Sequence, residues 1–212
     1  TDSDEAINYV SKNLRAMRKD LGALGQHHMS FRQRGTDTLA ALKTTTYKHW
    51  QASIEAGTQL DDSATKFLAI YPDNLDEWYQ VARYDDARIG DVLVHEMSHG
   101  APGTLDFYYG EVLAGITPAE YDAAGLMEFA RNARKAHPKN LANPHHAFAN
   151  LKDFEEFEAT LDNWPKLVQD HPALINAESY SVAVSLIDQY RTHPDTFVSN
   201  LATLRHAIDG AD

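Results

Sequence analysis

Apolar side chains return every three or four positions between residues 4 and 24, at Ala6, Val10, Leu14, Met17 and Leu21. That spacing puts them on one stripe of a helix, with Gly25 near its stop. A second periodic stretch, residues 30–56, carries Phe31, Leu39, Leu42, Tyr47 and Trp50 and is expected to be helical, with Gly57 ending it. Residues 64–71 fit either a short helix or a strand. Residues 77–84 alternate around Trp78, Val81 and Tyr84, which makes them the best candidate for a strand or hairpin arm. Asp91, Val92, Leu93 and Val94 lead into a helix free of proline, and Gly100, Pro102 and Gly103 supply its stop. Further on, Thr117, Pro118 and Glu120 make a helix start, for a helix running to about Lys135. Residues 137–144 read as loop. Residues 154–164, 176–190 and 194–208 read as three helices, with Ile175, Tyr180, Val184 and Ile187 facing a core. The expected fold class is mainly α (α+β), with one small β element among several helices.

The helix free of proline contains His95-Glu96-Met97-Ser98-His99. Residues four apart share a helix face, about 6 Å apart along the axis, so His95 and His99 can each aim a ring nitrogen at one ion. Glu96 lies beside them but off that axis. There it can hold a water instead of the metal, as a general base must. With eleven His and eleven Glu in 212 residues, chance yields only ~0.03 such patterns. A catalytic zinc takes three protein ligands and keeps one position open for water. The third must come from chain that has turned back, and the first candidate after the turn is Asp106.

Residues 103–110 read Gly-Thr-Leu-Asp-Phe-Tyr-Tyr-Gly. Joined to the His-Glu-x-x-His stretch, they resemble the G-T-x-D-x-x-Y-G motif of the aspzincin metallopeptidases, the group holding deuterolysin and the peptidyl-Lys metalloendopeptidases. The resemblance implies a zincin-like metallopeptidase with an active-site helix and one catalytic Zn2+ held by His95, His99 and Asp106. It further implies Glu96 as the general base and Tyr109 as the residue that helps polarise the scissile carbonyl. The substrate implied is a protein or peptide, and the peptidyl-Lys branch points to lysine on the carboxyl side of the cut. Asn176-Ala177-Glu178-Ser179-Tyr180 is similar to the N-A-D-x-Y stretch of the family, which makes Asn176 and Glu178 candidates for orienting the histidine rings.

The resemblance runs from about residue 70 to 190 with gaps and is sharp over 95–110. On this reading 1–212 is a single metallopeptidase domain, with 1–69 its N-terminal helical part and 70–212 its zinc-binding catalytic part. The stretch between Gly110 and Asn176 is longer than the family pattern, and the excess, about 119–170, is a lid, a specificity element or an inert addition.

The formal net charge of −12 sets the chain against nucleic-acid phosphates and anionic membrane surfaces, and favours a cationic substrate or partner. No apolar run approaches the ~20 residues that cross a bilayer. Cysteine is absent, whereas fungal secreted members of the resembled family carry disulfides. The expectation is therefore a bacterial exported enzyme or effector domain, held by its core and metal, and seen as a processed form or an excised piece with any leader out of view. A rival from another class is a catalytically silent, zinc-stabilised interaction or toxin domain that binds a cationic partner.

Other tempting residues read as structural. His27-His28 and His145-His146 are adjacent pairs, which seldom face one ion, and are expected at the surface. Asp61-Asp62 before Ser63 suits a helix cap better than a calcium loop. Asp153, Glu155, Glu156 and Glu158 are expected to form a solvated helix face. No G-x-S-x-G, phosphate loop or cysteine nucleophile offers a different chemistry.

Overall fold

The computed structural model describes residues 2–33, 38–58, 60, 65–81, 86–106, 151–199 and 202. Helix α1 (Asp2–Ala23) is the amphipathic element that its apolar spacing demands, with Met17 on the buried side. Residues 30–56 are not one helix. They form strand β1 (Met29–Phe31), strand β2 (Ala40–Leu42) and helix α2 (Thr44–Ala56). Phe31, Leu39 and Leu42 stand eight and three residues apart, so they never made a full helical stripe, and strands this short show no readable alternation. Only α2 keeps the helical period: Tyr47 and Trp50, three apart, bury one face. It ends as expected at Gly57, whose φ of +65° turns the chain left-handed. Gly57 N–H then bonds Ile54 O at 3.1 Å and Thr58 N–H bonds Ser53 O at 2.9 Å, the paired bonds of a Schellman cap.

Strand β3 (Leu68–Ile70) resolves the open choice at 64–71. Its three residues are all buried, as a strand covered on both faces requires. It lies between the other two, parallel to β1 and antiparallel to β2, with Ala69 opposite both Ser30 and Ala41. Helix α3 (Pro72–Val81) takes in residues 77–81 of the strand expected at 77–84, and residues 82–84 lie outside the described residues. Pro72 supplies the fixed φ suited to a first helical turn. Trp78 and Val81 are three residues apart, a spacing that fits a helix and not the period of two of a strand. Helix α4 (Asp86–Gly100) carries the histidine motif and packs on β2, with further contacts to α2 and α3. A small sheet therefore sits beside the motif helix, built by β3 from the open stretch 64–71 and by β1 and β2 from a stretch expected to be helical.

The core of this part consists of Ala40, Tyr47, Trp50, Phe67, Leu68, Ile70 and Met97. Phe67 brings its ring centroid to 4.9 Å from Trp50 and meets Tyr47 edge-on at 5.3 Å. Met97, between the two motif histidines in sequence, is fully buried there and anchors α4. All these residues belong to one compact unit, Ser11–Thr104; the other comprises Thr1–Val10 and Leu105–Asp212.

Within that second unit come α5 (Leu151–Ala159), a 3-10 turn (Leu161–Asn163), α6 (Lys166–Asp170), a second 3-10 turn (Pro172–Ile175) and α7 (Ala177–Thr192). Residues 194–199 are helical again. Phe157, Val168, Ile175 and Tyr180 are buried, but Ile187, expected in the core, is 50% exposed. The buried stripe of α7 includes Ala177, Ser181, Ser185 and Gln189, at helical spacing. Its small and polar members hide it from a search for apolar periodicity. The helix expected from Thr117, the loop at 137–144, Asp61-Asp62 and His145-His146 lie outside the described residues. Among the described residues no helix is long and apolar enough to cross a membrane.

Candidate metal centre

His95 and His99 lie one turn apart on α4, with ring centroids 5.1 Å apart and planes at 82°. His95 is 9% exposed and Glu96 8%, so the motif is a buried feature of the helix and not a solvated face. His95, His99 and Asp106 each offer one ligand atom, and those atoms all lie within 4.8 Å of one another. Tyr109 lies outside the described residues.

The chain after α4 is turned back by its own polar atoms. Gly103 has a φ of +71°, which L side chains rarely adopt, and so provides the reversal. Thr104 N–H then donates to Ser98 O at 3.1 Å. Ser98 Oγ–H donates to His95 O at 2.6 Å, which leaves its oxygen to accept from the Thr104 hydroxyl, also at 2.6 Å. Ser98 and Thr104 are both buried, so these bonds face little competition from water. The Thr104 carbonyl lies 2.9 Å from His99 Nδ1. A carbonyl only accepts, so Nδ1 carries the proton and Nε2 keeps the lone pair that an ion needs. The sequence offered Asn176 and Glu178 as candidates for orienting the rings; Ser98 and Thr104 were not among its candidates. The available signal was that Thr104 belongs to the G-T-x-D stretch itself.

Asn176 reaches the same turn through the main chain around it. Leu105 N–H donates to Ile175 O at 2.8 Å and Ala177 N–H to Leu105 O at 3.0 Å, a parallel bridge between Leu105 and Asn176. One residue later, Asp106 N–H donates to Asp153 Oδ2 at 2.6 Å. The Asp153 carboxylate is therefore half-buried and bonded, whereas Glu155 and Glu156 are exposed as expected.

The helix stops where expected: Gly100 is the last residue of α4, and it lies against Tyr47. A Cβ at Gly100 would stand 2.5 Å from Tyr47 Cε1 and 2.6 Å from Cζ, closer than any real contact. Tyr47 cannot easily give way. Its hydroxyl donates a short hydrogen bond to Asp20, and Gln51 Nε2 donates to both oxygens, at 3.0 Å to Asp20 and 2.8 Å to Tyr47. Burial, reinforced by the Asp20 carboxylate, raises the Tyr47 phenol far above its ordinary range, so it stays a neutral donor. Gly100→Ala is accordingly expected to destabilise the protein by about 1–3 kcal/mol through overpacking, which outweighs the roughly 0.5–1 kcal/mol that alanine gains over glycine in a helix. Urea denaturation of the variant checks this, and an unchanged or raised midpoint would sink it.

His28 corrects another expectation. It is buried, accepts Gly25 N–H on Nδ1 at 2.8 Å, and lies 5.0 Å from the Trp50 ring and 5.2 Å from Phe67. It is a core histidine, while His27 beside it is exposed.

No family profile matches the chain, and no curated protein or solved structure matches it either. The aspzincin resemblance thus stands on the sequence of residues 95–110. Two imidazoles and one carboxylate are the donor types and number of a three-ligand zinc centre, and the tautomer imposed on His99 suits it; the same set accepts other divalent ions of the first transition row.

Proposed function

We propose that the chain is a zinc-dependent endopeptidase of the aspzincin type on a zincin-like fold. The observation that carries this reading is the approach of His95, His99 and Asp106 ligand atoms to within 4.8 Å beside the buried Glu96. When bound, zinc supplies Lewis acidity, polarising the scissile carbonyl and bringing the pKa of water toward neutrality. Glu96 takes the proton of the attacking water and passes it to the leaving amine. Tyr109, by the resemblance, donates a hydrogen bond to the developing oxyanion. The Thr104 carbonyl holds His99 in the ligand tautomer, and the hydroxyl relay from Thr104 through Ser98 holds the turn against α4. The net charge of −12 favours cationic segments of substrate, in line with lysine on the carboxyl side of the cut. The missing cysteines fit a bacterial exported enzyme or an effector domain.

The test is digestion of an unfolded casein-like protein, with cleavage sites mapped by mass spectrometry. Cleavage is expected to stop with a chelator and return with zinc, and new amino termini are expected to be enriched in lysine. A zinc-loaded protein that cuts nothing would leave the silent zinc-stabilised domain as the better reading. Cleavage without enrichment would discard only the lysine preference.

A further inference from the structure

Three successive main-chain N–H groups hold the ligand turn, and each goes to a different partner. Thr104 donates to the carbonyl of Ser98 on the motif helix, Leu105 to the carbonyl of Ile175, and Asp106 to the carboxylate of Asp153. Only the last partner is a side chain. It is therefore the one of these three partners that a substitution can remove while the backbone stays as it is. The bond is short, 2.6 Å, and runs from an amide to a carboxylate, the stronger, charge-assisted class. Its donor belongs to the residue whose own carboxylate joins His95 and His99 in the candidate ligand group.

We propose that Asp153 is a positioning residue for the metal centre: by taking the Asp106 amide it fixes the peptide that carries the third ligand. The inference rests on reading 95–106 as a metal centre. It also gives a task to the long segment between Gly110 and Asn176, because Asp153, in the first turn of α5, is part of it. Without that acceptor the Asp106 peptide can rotate about the pinned Leu105, and the ligand carboxylate loses its fixed aim. A groove or lid is not needed for this role; one carboxylate oxygen suffices.

A helix-start acid could instead do no more than stabilise the first turn of α5, so the test separates the two roles. Zinc affinity is measured by competition with a chromophoric chelator, alongside thermal unfolding of the zinc-free protein. Asp153→Ala is expected to weaken zinc binding by about 10- to 100-fold, the usual cost of losing a group that orients a ligand. Asp153→Asn keeps an amide oxygen able to accept the same N–H, and is expected to stay within about threefold of the parent, since a neutral acceptor is weaker but still directional. Glu156→Ala removes the same charge from the same helix without touching that bond, and is expected to bind zinc like the parent. Parental affinity in Asp153→Ala would overturn the proposal, as would a loss in Asp153→Asn equal to that in Asp153→Ala, or one shared by Glu156→Ala. If Asp153→Ala does not fold, Asp153→Asn decides: retained affinity supports the bond, and a tenfold loss in a folded variant rejects it. Failure of the unsubstituted protein to bind zinc would instead strike the metal-centre reading itself.

Discussion

Glu96→Gln is expected to abolish proteolysis while leaving zinc content and fold in place. The substitution is nearly isosteric and replaces a buried carboxylate, 8% exposed, with a neutral amide that is cheaper to bury. Nothing in it creates a cavity, so the unfolding midpoint should hold or rise slightly. Glu96 is also outside the group of His95, His99 and Asp106, so the ligand set is untouched. What disappears is the ability to take a proton from water and return it to the leaving amine. A positioned general acid–base contributes roughly 10²–10⁴-fold, so kcat/KM on a mapped peptide should fall by at least that range. The decisive measurement is turnover of a variant whose zinc stoichiometry has been shown to equal the parent's. Appreciable turnover there would assign the proton transfers elsewhere, and loss of the metal would make Glu96 part of its support.

The contrast between Glu96 and the elements around it shows what the chain declares openly. Contacts four residues apart on one helix are written in the sequence, so His95, Glu96 and His99 were legible from spacing alone. So were the amphipathic stripe of α1 and the left-handed stop at Gly57, which depend on near neighbours. The sheet was not. Met29–Phe31 pairs with Leu68–Ile70 across a long stretch of chain, and three-residue strands carry too little pattern to announce themselves. α3 was misread as alternation, although Trp78 and Val81, three residues apart, share a helix face and would lie on opposite faces of a strand. The buried stripe of α7 was missed because serine and glutamine help to build it. The supports of the candidate site were hidden for a related reason: Thr104 acts on His99 through a main-chain carbonyl, and Asp153 takes an amide 47 residues away in sequence. A main-chain acceptor has no residue signature, and an acid in a run of acids looks solvated until its one bond is seen. Gly100 shows both sides: its place after the second histidine marks the helix end, but its approach to Tyr47, which leaves no room for a side chain, is a contact that the sequence does not announce.

Asp106→Ala should separate the third ligand from the fold that presents it. The turn keeps its anchors in this variant, because Thr104, Leu105 and residue 106 donate through main-chain N–H groups, and alanine retains its own. Stability of the zinc-free protein should therefore change by less than about 1 kcal/mol, the scale of a substitution that leaves no cavity in a core. Zinc affinity is a different matter. The change removes one of three donors and a negative charge beside a dication, and a loss well above tenfold is expected. The two effects part cleanly in a thermal scan. Each tenfold loss of affinity subtracts about 1.4 kcal/mol from the stabilisation that a fixed excess of zinc confers, so the zinc-dependent rise in melting temperature should shrink or vanish while the zinc-free value barely moves. Proteolysis should fall with the bound metal. Asp106→Glu serves as the companion, since it restores the charge on a longer arm; partial recovery of zinc binding is expected, with activity recovering less because the carboxylate no longer fits the turn. Should Asp106→Ala show the parent's zinc stoichiometry and the parent's zinc-dependent rise, a different side chain completes the site, and the meeting of Asp106 with His95 and His99 is only a feature of the turn.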